Sequence, residues 1–412
     1  MKLLLQTILR WQAKLILWKY RPVVVAVTGS VGKSSAKEAI YSVLSSKFSV
    51  RRSMGNYNTE IGVPLAIIGA RHWFAGLAKG KWQFVMPLRY PKVLVLELAA
   101  DRPGDIAYLA DMVGPDISVV TAVGPSHLEF FDSREKIAEE KANIILALTG
   151  SGVAVLNYDD EVVRAMAEKN KGKTIYYGTA DGADVQAVNI VSSPDGLVFK
   201  IQYKGSTVPV QLIGVLGAPS VYAALSAAAV GLSRGMNLIE IATALRNYRG
   251  LPGRLQLLQG IKHTRIIDDT YNAAPASAIA ALAVLSEVPG KRKIAVLGDM
   301  AELGAYTEDG HRQVGAATVD HGINFLVTVG PRAKFIADQA RQNGLPENQI
   351  LSFADAGEAR KPVEKLLQPE DTILVKGSQL MRMERITKEI MAEPERAPQL
   401  LCRQSREWLR TL

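Results

Sequence analysis

Lys33 and Ser34 follow two glycines in the run Val27-Thr28-Gly29-Ser30-Val31-Gly32-Lys33-Ser34-Ser35, a combination suited to holding a polyphosphate. Glycines let the backbone curl until several N–H groups converge on one phosphate, and a helix opening at Lys33 adds the positive end of its dipole. Lys33 would then neutralise the β- and γ-phosphates of a nucleotide, and the Ser34 hydroxyl would hold Mg²⁺. The loop departs from G-x-x-x-x-G-K-[ST], because Val27 occupies the expected first glycine position. Its context compensates: a β-branched strand over residues 23–28 leads in and a helix over 33–46 leads out, the setting that distinguishes a phosphate loop from a merely tight βα turn.

A second set of candidates sits at predicted strand ends. Glu97 closes the strand VLVLEL, and in an open α/β sheet the C-terminal strand ends face the ligand crevice. A carboxylate buried there requires a cation. His127, in GPSHLE, follows another strand end, where it serves equally as a metal ligand or as a hydrogen-bonded structural residue. The stretch GNYNTEIGVP (55–64) carries Asn56 and Asn58. Turn chemistry accounts for both, and so does orienting a substrate carboxylate or phosphate. Asp269 and Asn272, in DDTYNA, follow a strand ending at Ile267, where a carboxylate meets a ribose hydroxyl or caps a helix.

These residues need a frame. Strands at 23–28, 93–98, 117–121 and 153–156, alternating with helices such as 33–46 and 134–148, predict a mostly parallel sheet with helices on both faces. Residues 185–213 alternate in polarity and turn at Pro194-Asp195-Gly196, which reads as antiparallel strands. After an alanine-rich helix at 219–231, the Leu251-Pro252-Gly253-Arg254 stretch interrupts the pattern, and βα alternation restarts at 264–268, 293–297, 325–329 and 372–375. We expect a helix over 1–22, a central phosphate-loop domain over 23–250 and a C-terminal α/β domain over 251–412.

Composition bounds the class. At 412 residues, 48% hydrophobic and 22% charged, the chain supports more than one core and argues against disorder. The single cysteine, Cys402, excludes an internal disulfide and fits a reducing cytoplasm. Net charge is +9, yet residues 1–100 hold fifteen Lys/Arg against three Asp/Glu, so the basic excess is local. Residues 2–20, KLLLQTILRWQAKLILWKY, read as an amphipathic helix whose charges interrupt any bilayer span. It either packs its Leu/Ile/Trp face on the next domain or lies on an anionic membrane, which would place the chain at the inner membrane surface. Residues 70–92 mix Trp73, Phe74, Trp82 and Phe84 with basic groups, pointing to an acidic substrate or a membrane interface rather than nucleic acid, since no RNA-binding signature accompanies them.

With these residues assembled, the chain resembles the Mur ligases. The matching stretches are TGSVGKSSAKE (28–38), GNYNTEIGVP (55–64), LELAADRPGDIAYL (96–109), HLEFFDSREKIAEEK (127–141), LPGRL (251–255), DDTYNAAPAS (268–277), LGDMAELG (297–304) and LVKGSQLMRME (374–384), in the family's order from about residue 23 to 390. The resemblance implies a P-loop ATPase-type central domain, a Rossmann-like C-terminal domain and ATP-dependent amide formation through an acyl phosphate. It implies addition of D-alanyl-D-alanine to a UDP-N-acetylmuramoyl-tripeptide-like acceptor in peptidoglycan precursor synthesis. Lys33 would stabilise the transferring phosphoryl group, Ser34 and Glu97 would hold one Mg²⁺, and His127 would help hold a second. Lys141 matches a lysine that the family carbamylates, turning a cation into an anionic metal ligand. Arg254 and Asp269 match positions that reach ATP, and Lys376 and Ser378 match the loop facing the amine.

Departures from the pattern concern substrates. The family's domain for the UDP end has no counterpart in the 22 residues before the first strand, so a truncated binding mode, a partner protein or a substrate without UDP is expected. Pro219 and Ala223 stand where His and Asn are usual, and Gln379 replaces an Arg, with Arg382 close enough to substitute. Two other readings stay open: a ligase of the same mechanism joining a different acid and amine, and a non-catalytic ATP-binding scaffold. The expected partners are small-molecule acids and amino-acid or dipeptide amines, acting on a monomer.

Overall fold

The computed structural model describes residues 2–55, 57–73, 75–77, 79–80, 89–124, 133–193 and 195–410, excepting the side chains of residues 2, 3 and 134. The described residues form a nine-stranded sheet and a six-stranded sheet. This is the α/β architecture expected from the alternation of strands and helices.

In the first sheet β1 (Val23–Thr28) lies between β3 (Val93–Glu97) and β4 (Ile117–Val120), parallel to both. The chain turns one way from β1 to β2 (Val50–Arg52) and β3, and the other way to β4 and β5 (Val153–Asn157), so β1 is the switch point where ligands bind in such sheets. Register places Val27 beside Glu97 and Thr28 beside Val120. The loops after these strands therefore leave the sheet side by side.

Beyond β6 (Lys173–Gly178), three strands, β7 (Val185–Ser193), β8 (Gly196–Tyr203) and β9 (Ser206–Ile213), lie next to each other in sequence order. Their two-residue connections allow only antiparallel neighbours, matching the turn expected near Asp195. Pro194 itself lies outside the described residues.

The helix α1 (Lys2–Tyr20) buries Leu9, Ala13 and Ile16 completely, in the same core as Val24, Leu94, Leu96, Val63 and Ile67. Its lower end is fixed where Tyr20 stacks on Tyr90 with ring centroids 4.6 Å apart. The expectation that tryptophans share this packed face is corrected: Trp11 and Trp18 are 64% and 68% exposed. Trp11 follows Leu9 by two residues, which turns it about 200° around the helix.

Compact grouping divides the chain into one unit of Met1–Ile190, Phe199–Gln211 and Ala218–Tyr248, and a second of Val191–Val198, Leu212–Gly217 and Arg249–Leu412. In the second unit β11 (Arg265–Asp269), β15 (Thr372–Lys376), β12 (Lys293–Gly298), β13 (Phe325–Val329) and β14 (Ile350–Phe353) run parallel, with β10 (Gln256–Gln259) antiparallel at the edge. Period-two alternation splits these strands cleanly. Ile267, Ala295, Leu297 and Leu374 pack in one layer, and Ile266, Ile294, Val296 and Val375 in the other.

Candidate nucleotide and metal site

The loop after β1 is built around Gly29 and Gly32. Gly29 has φ 148°, and a Cβ there would collide with the Thr121 hydroxyl at the end of β4. Gly32 takes the left-handed conformation, φ 84°, as the residue that opens α2 (Lys33–Ser45), a position costly for any residue with a side chain. The Thr121 hydroxyl donates to Val31 O at 2.5 Å, and Ser30 N donates to Ala122 O at 2.7 Å, clamping the loop onto β4. Thr28 is fully buried, its hydroxyl donating to Leu98 O at 2.9 Å, whereas Val31 is 66% exposed. The first turn of α2 contains no acidic residue, so its N–H groups keep their affinity for an anion. Lys33 folds back over the loop, its ammonium donating to Gly29 O (2.7 Å) and Ser30 O (3.2 Å).

Beside this loop stands Glu97, 3% exposed at the end of β3. Its Oε1 accepts from the Ser34 hydroxyl at 3.0 Å and from the Asn58 amide at 3.3 Å. Asn58 is held in place because its carbonyl accepts from Ala99 N, just past β3. The other oxygen, Oε2, is buried without a hydrogen-bond partner, and Lys37 stands 3.3 Å away as an ion pair lacking hydrogen-bond geometry. A buried carboxylate with one oxygen free of hydrogen bonds, joined to a serine hydroxyl, is a hard oxygen donor set and fits Mg²⁺. Among the described residues no three His, Cys, Asp or Glu side chains cluster for a metal. His127 and Asn56 lie outside the described residues.

Lys37 is the participant that motif reading left without a role. It is only 2% exposed and reaches both Glu97 and, at 3.6 Å, Glu38. Spacing offered a signal: Lys37 stands four residues after Lys33 and three after Ser34, on the same side of the helix. Thr121 was also unassigned, although a polar residue just past the strand beside β1 occupies the edge where ligands bind.

Lys141 is carried on α5 (Arg134–Leu146) and is 5% exposed; the helices between are α3 (Gly62–Ile68) and α4 (Asp105–Val113). Burial, reinforced by the nearby Lys33 charge and opposed by Glu140, lowers its pKa to about 8. The adjacent Glu140 is used structurally, accepting from Gly104 N (2.8 Å) and Ile106 N (2.6 Å) at the start of α4. Ser34, Asn58 and Glu97 thus converge beside the Lys33 loop, and the Lys33 charge reaches Lys141 electrostatically.

The second unit holds a separate polar group. Asp269 and Lys376 end the neighbouring strands β11 and β15 in register, and their side chains pair at 2.6 Å. Lys376 also donates to Asn272 O at 2.9 Å, and Asp269 accepts from Leu255 N at 3.2 Å. Arg254 is exposed and lies over the Tyr271 ring, 4.2 Å from its centroid. Ser378 is buried, accepting from Ala301 N at 2.8 Å. The expectation that Arg382 replaces the arginine missing at Gln379 meets a competing structural role: Arg382 is buried and pairs with Glu384 at 2.7 Å.

Residues 27–231 match the Mur ligase middle domain, and residues 253–379 match the Mur ligase, glutamate ligase domain. The chain is 31% identical to the UDP-N-acetylmuramoyl-tripeptide--D-alanyl-D-alanine ligase of Bacillus subtilis, over 94% of this chain and 80% of that protein. It is 32% identical to the Escherichia coli enzyme of the same name, over 89% and 76%. Among solved structures, MurF from Acinetobacter baumannii superposes with a TM-score of 0.80 at 28% identity, covering 93% of this chain and 79% of that one. MurF from Thermotoga maritima, solved in complex with ADP, gives 0.78 at 28% identity, covering 95% and 84%. The chain belongs to the Mur ligase family.

Proposed function

We propose that this protein is an ATP-dependent ligase that adds D-alanyl-D-alanine to a UDP-N-acetylmuramoyl-tripeptide-like acceptor, a step of peptidoglycan precursor synthesis in the cytoplasm. The observation that carries the reading is the Ser34–Glu97 pair at 3.0 Å beside the Lys33 loop, in a chain whose relatives bear that activity by name. In the first step an oxygen of the acceptor carboxylate attacks the γ-phosphorus of ATP, the bond to ADP breaks, and an acyl phosphate forms. The amine nitrogen then attacks the acyl carbon, phosphate departs, and the nitrogen gives up a proton. A free carboxylate is a poor electrophile, which is why activation precedes amide formation.

Lys33 leaves its carbonyl partners to bind the phosphoryl oxygens, and the N–H groups of the loop and of α2, including Ser35, hold the phosphates in line. Ser34 and Glu97 would hold Mg²⁺, with Asn58 fixing the carboxylate. When bound, Mg²⁺ offsets the charge on the phosphoryl oxygens. Lys141, lowered to about 8, has a neutral fraction near physiological pH. That amine can add to CO2 with loss of a proton, giving a carbamate that would serve with His127 toward a second ion. Arg254, Asp269 and Asn272 are assigned to the nucleotide, and Lys376 and Ser378 to the amine substrate.

A ligase of the same mechanism with a different acid or amine is favoured by one group of observations: Pro219 and Ala223 replace polar residues usual in the family, and Arg382 is committed to Glu384. Incubation with Mg²⁺, ATP, UDP-N-acetylmuramoyl-tripeptide and D-alanyl-D-alanine, with ADP and amide both measured, separates the two. Lys33→Ala is expected to lower both products by about 100-fold or more, since it removes a charge that stabilises the transition state. Lys33-dependent ATP binding without amide would assign the chain to other substrates, and amide formation unaffected by Lys33→Ala would overturn the assigned phosphate site.

A further inference from the structure

The helix α1 is apolar on two opposite sides. Leu9, Ala13 and Ile16 are buried in the first unit, while Leu4, Ile8, Trp11, Leu15 and Trp18 recur at spacings of four, three, four and three residues and remain exposed. Their exposures run from 38% at Ile8 and Leu15 to 68% at Trp18, so the stripe continues along the whole outer face. A helix of 19 residues is about 28 Å long, and a stripe of that length far exceeds the scattered apolar side chains of an ordinary surface.

We propose that this outer face lies flat on an anionic lipid bilayer. The argument is charge complementarity. The helix has no acidic residue, and Lys2, Arg10, Lys14 and Lys19 with the following Arg21 give it only positive charge. Arg10 and Lys14 flank the stripe and share one acidic partner, Asp111, at 2.6 and 2.9 Å. Two copies of α1 paired through their stripes would bring these cations together, whereas anionic headgroups receive them. Trp11 and Trp18 add rings suited to the boundary between headgroups and acyl chains. On the opposite edge, Gln12 donates to Leu77 O at 3.1 Å, so the segment that carries the exposed Arg71, Trp73 and Lys79 packs beside α1. No described helix is long and apolar enough to cross a membrane, which leaves a helix that lies in the interface.

The test is flotation of the full chain with phosphatidylcholine vesicles and with vesicles that also contain phosphatidylglycerol, beside Trp11→Glu/Trp18→Glu and the uncharged Trp11→Ser/Trp18→Ser. The unsubstituted chain is expected to float with the anionic vesicles, less so at high salt, and both variants to bind about ten-fold more weakly or worse. These side chains lie outside the core, so unchanged thermal melts and Lys33-dependent ATP binding would show that the variants are folded. Absence of flotation, equal flotation with both vesicle types, or equal flotation of the variants would overturn the proposal. Light scattering that reveals a dimer abolished by either variant would overturn it in favour of a second copy.

Discussion

At the scale of single residues, Lys37 has a double position: it is buried with Glu97, yet makes no hydrogen bond to the oxygen it faces. Its ammonium supplies the positive charge that a buried carboxylate requires before a metal arrives. Replacing it by methionine keeps most of the volume and strands the carboxylate, at a cost of roughly 3 kcal/mol. We expect Lys37→Met to lower the melting temperature in a chelator, and Mg²⁺ to recover much more of the loss than it adds to the unsubstituted protein. An equal deficit with and without Mg²⁺ would show that Lys37 and the metal do not serve the same carboxylate. Spacing after Lys33 and Ser34 marks the position but not this role, because a lysine near the start of a helix is ordinarily a solvated residue, and only the return of β3 beside β1 supplies its partner. The phosphate loop was legible earlier because its requirements are local: glycines, a lysine and the strand and helix on either side.

At the scale of elements, α1 shows how far amphipathicity can be read. The pattern revealed a helix but not that both of its apolar stripes are used differently, one buried and one exposed. Ile16→Ala is expected to cost about 2–4 kcal/mol, through lost burial and the cavity left behind. Trp11→Ala is expected to stay within about 0.5 kcal/mol of the unsubstituted protein in the absence of lipid. Urea denaturation of the two variants measures the difference, and similar midpoints would mean that the burial contrast along α1 is wrong. Short strands were the least legible elements. The sequence VRR of β2 and QLLQ of β10 have no strand signature of their own, and they become strands by pairing with β3 and β11. Asp269 and Lys376 likewise suggested separate duties, because the adjacency of β11 and β15 depends on a sheet order that local patterning does not encode.

At the scale of the whole molecule, the chain carries its positive charge where its anionic ligands are expected. Fifteen Lys/Arg against three Asp/Glu in residues 1–100 include both the phosphate loop and α1, while the remainder has a small negative balance. The apolar cores are also distinct: Leu9, Ile16, Leu94 and Leu96 belong to one, and Ile267, Leu282, Leu297 and Leu374 to another. Each has a sheet and helices of its own, the arrangement under which a single two-state transition is not expected. Calorimetry should therefore resolve two components, with a van't Hoff enthalpy below the calorimetric total. Ile16→Ala should lower one component and Leu282→Ala the other, each by roughly 5–15 °C for a loss of a few kcal/mol in a domain of this size. Because the phosphate loop lies in the first unit, Mg²⁺ and ATP should raise the component sensitive to Ile16→Ala, and Lys33→Ala should remove that rise. A single transition displaced equally by both core substitutions would instead show that the two cores unfold as one cooperative body.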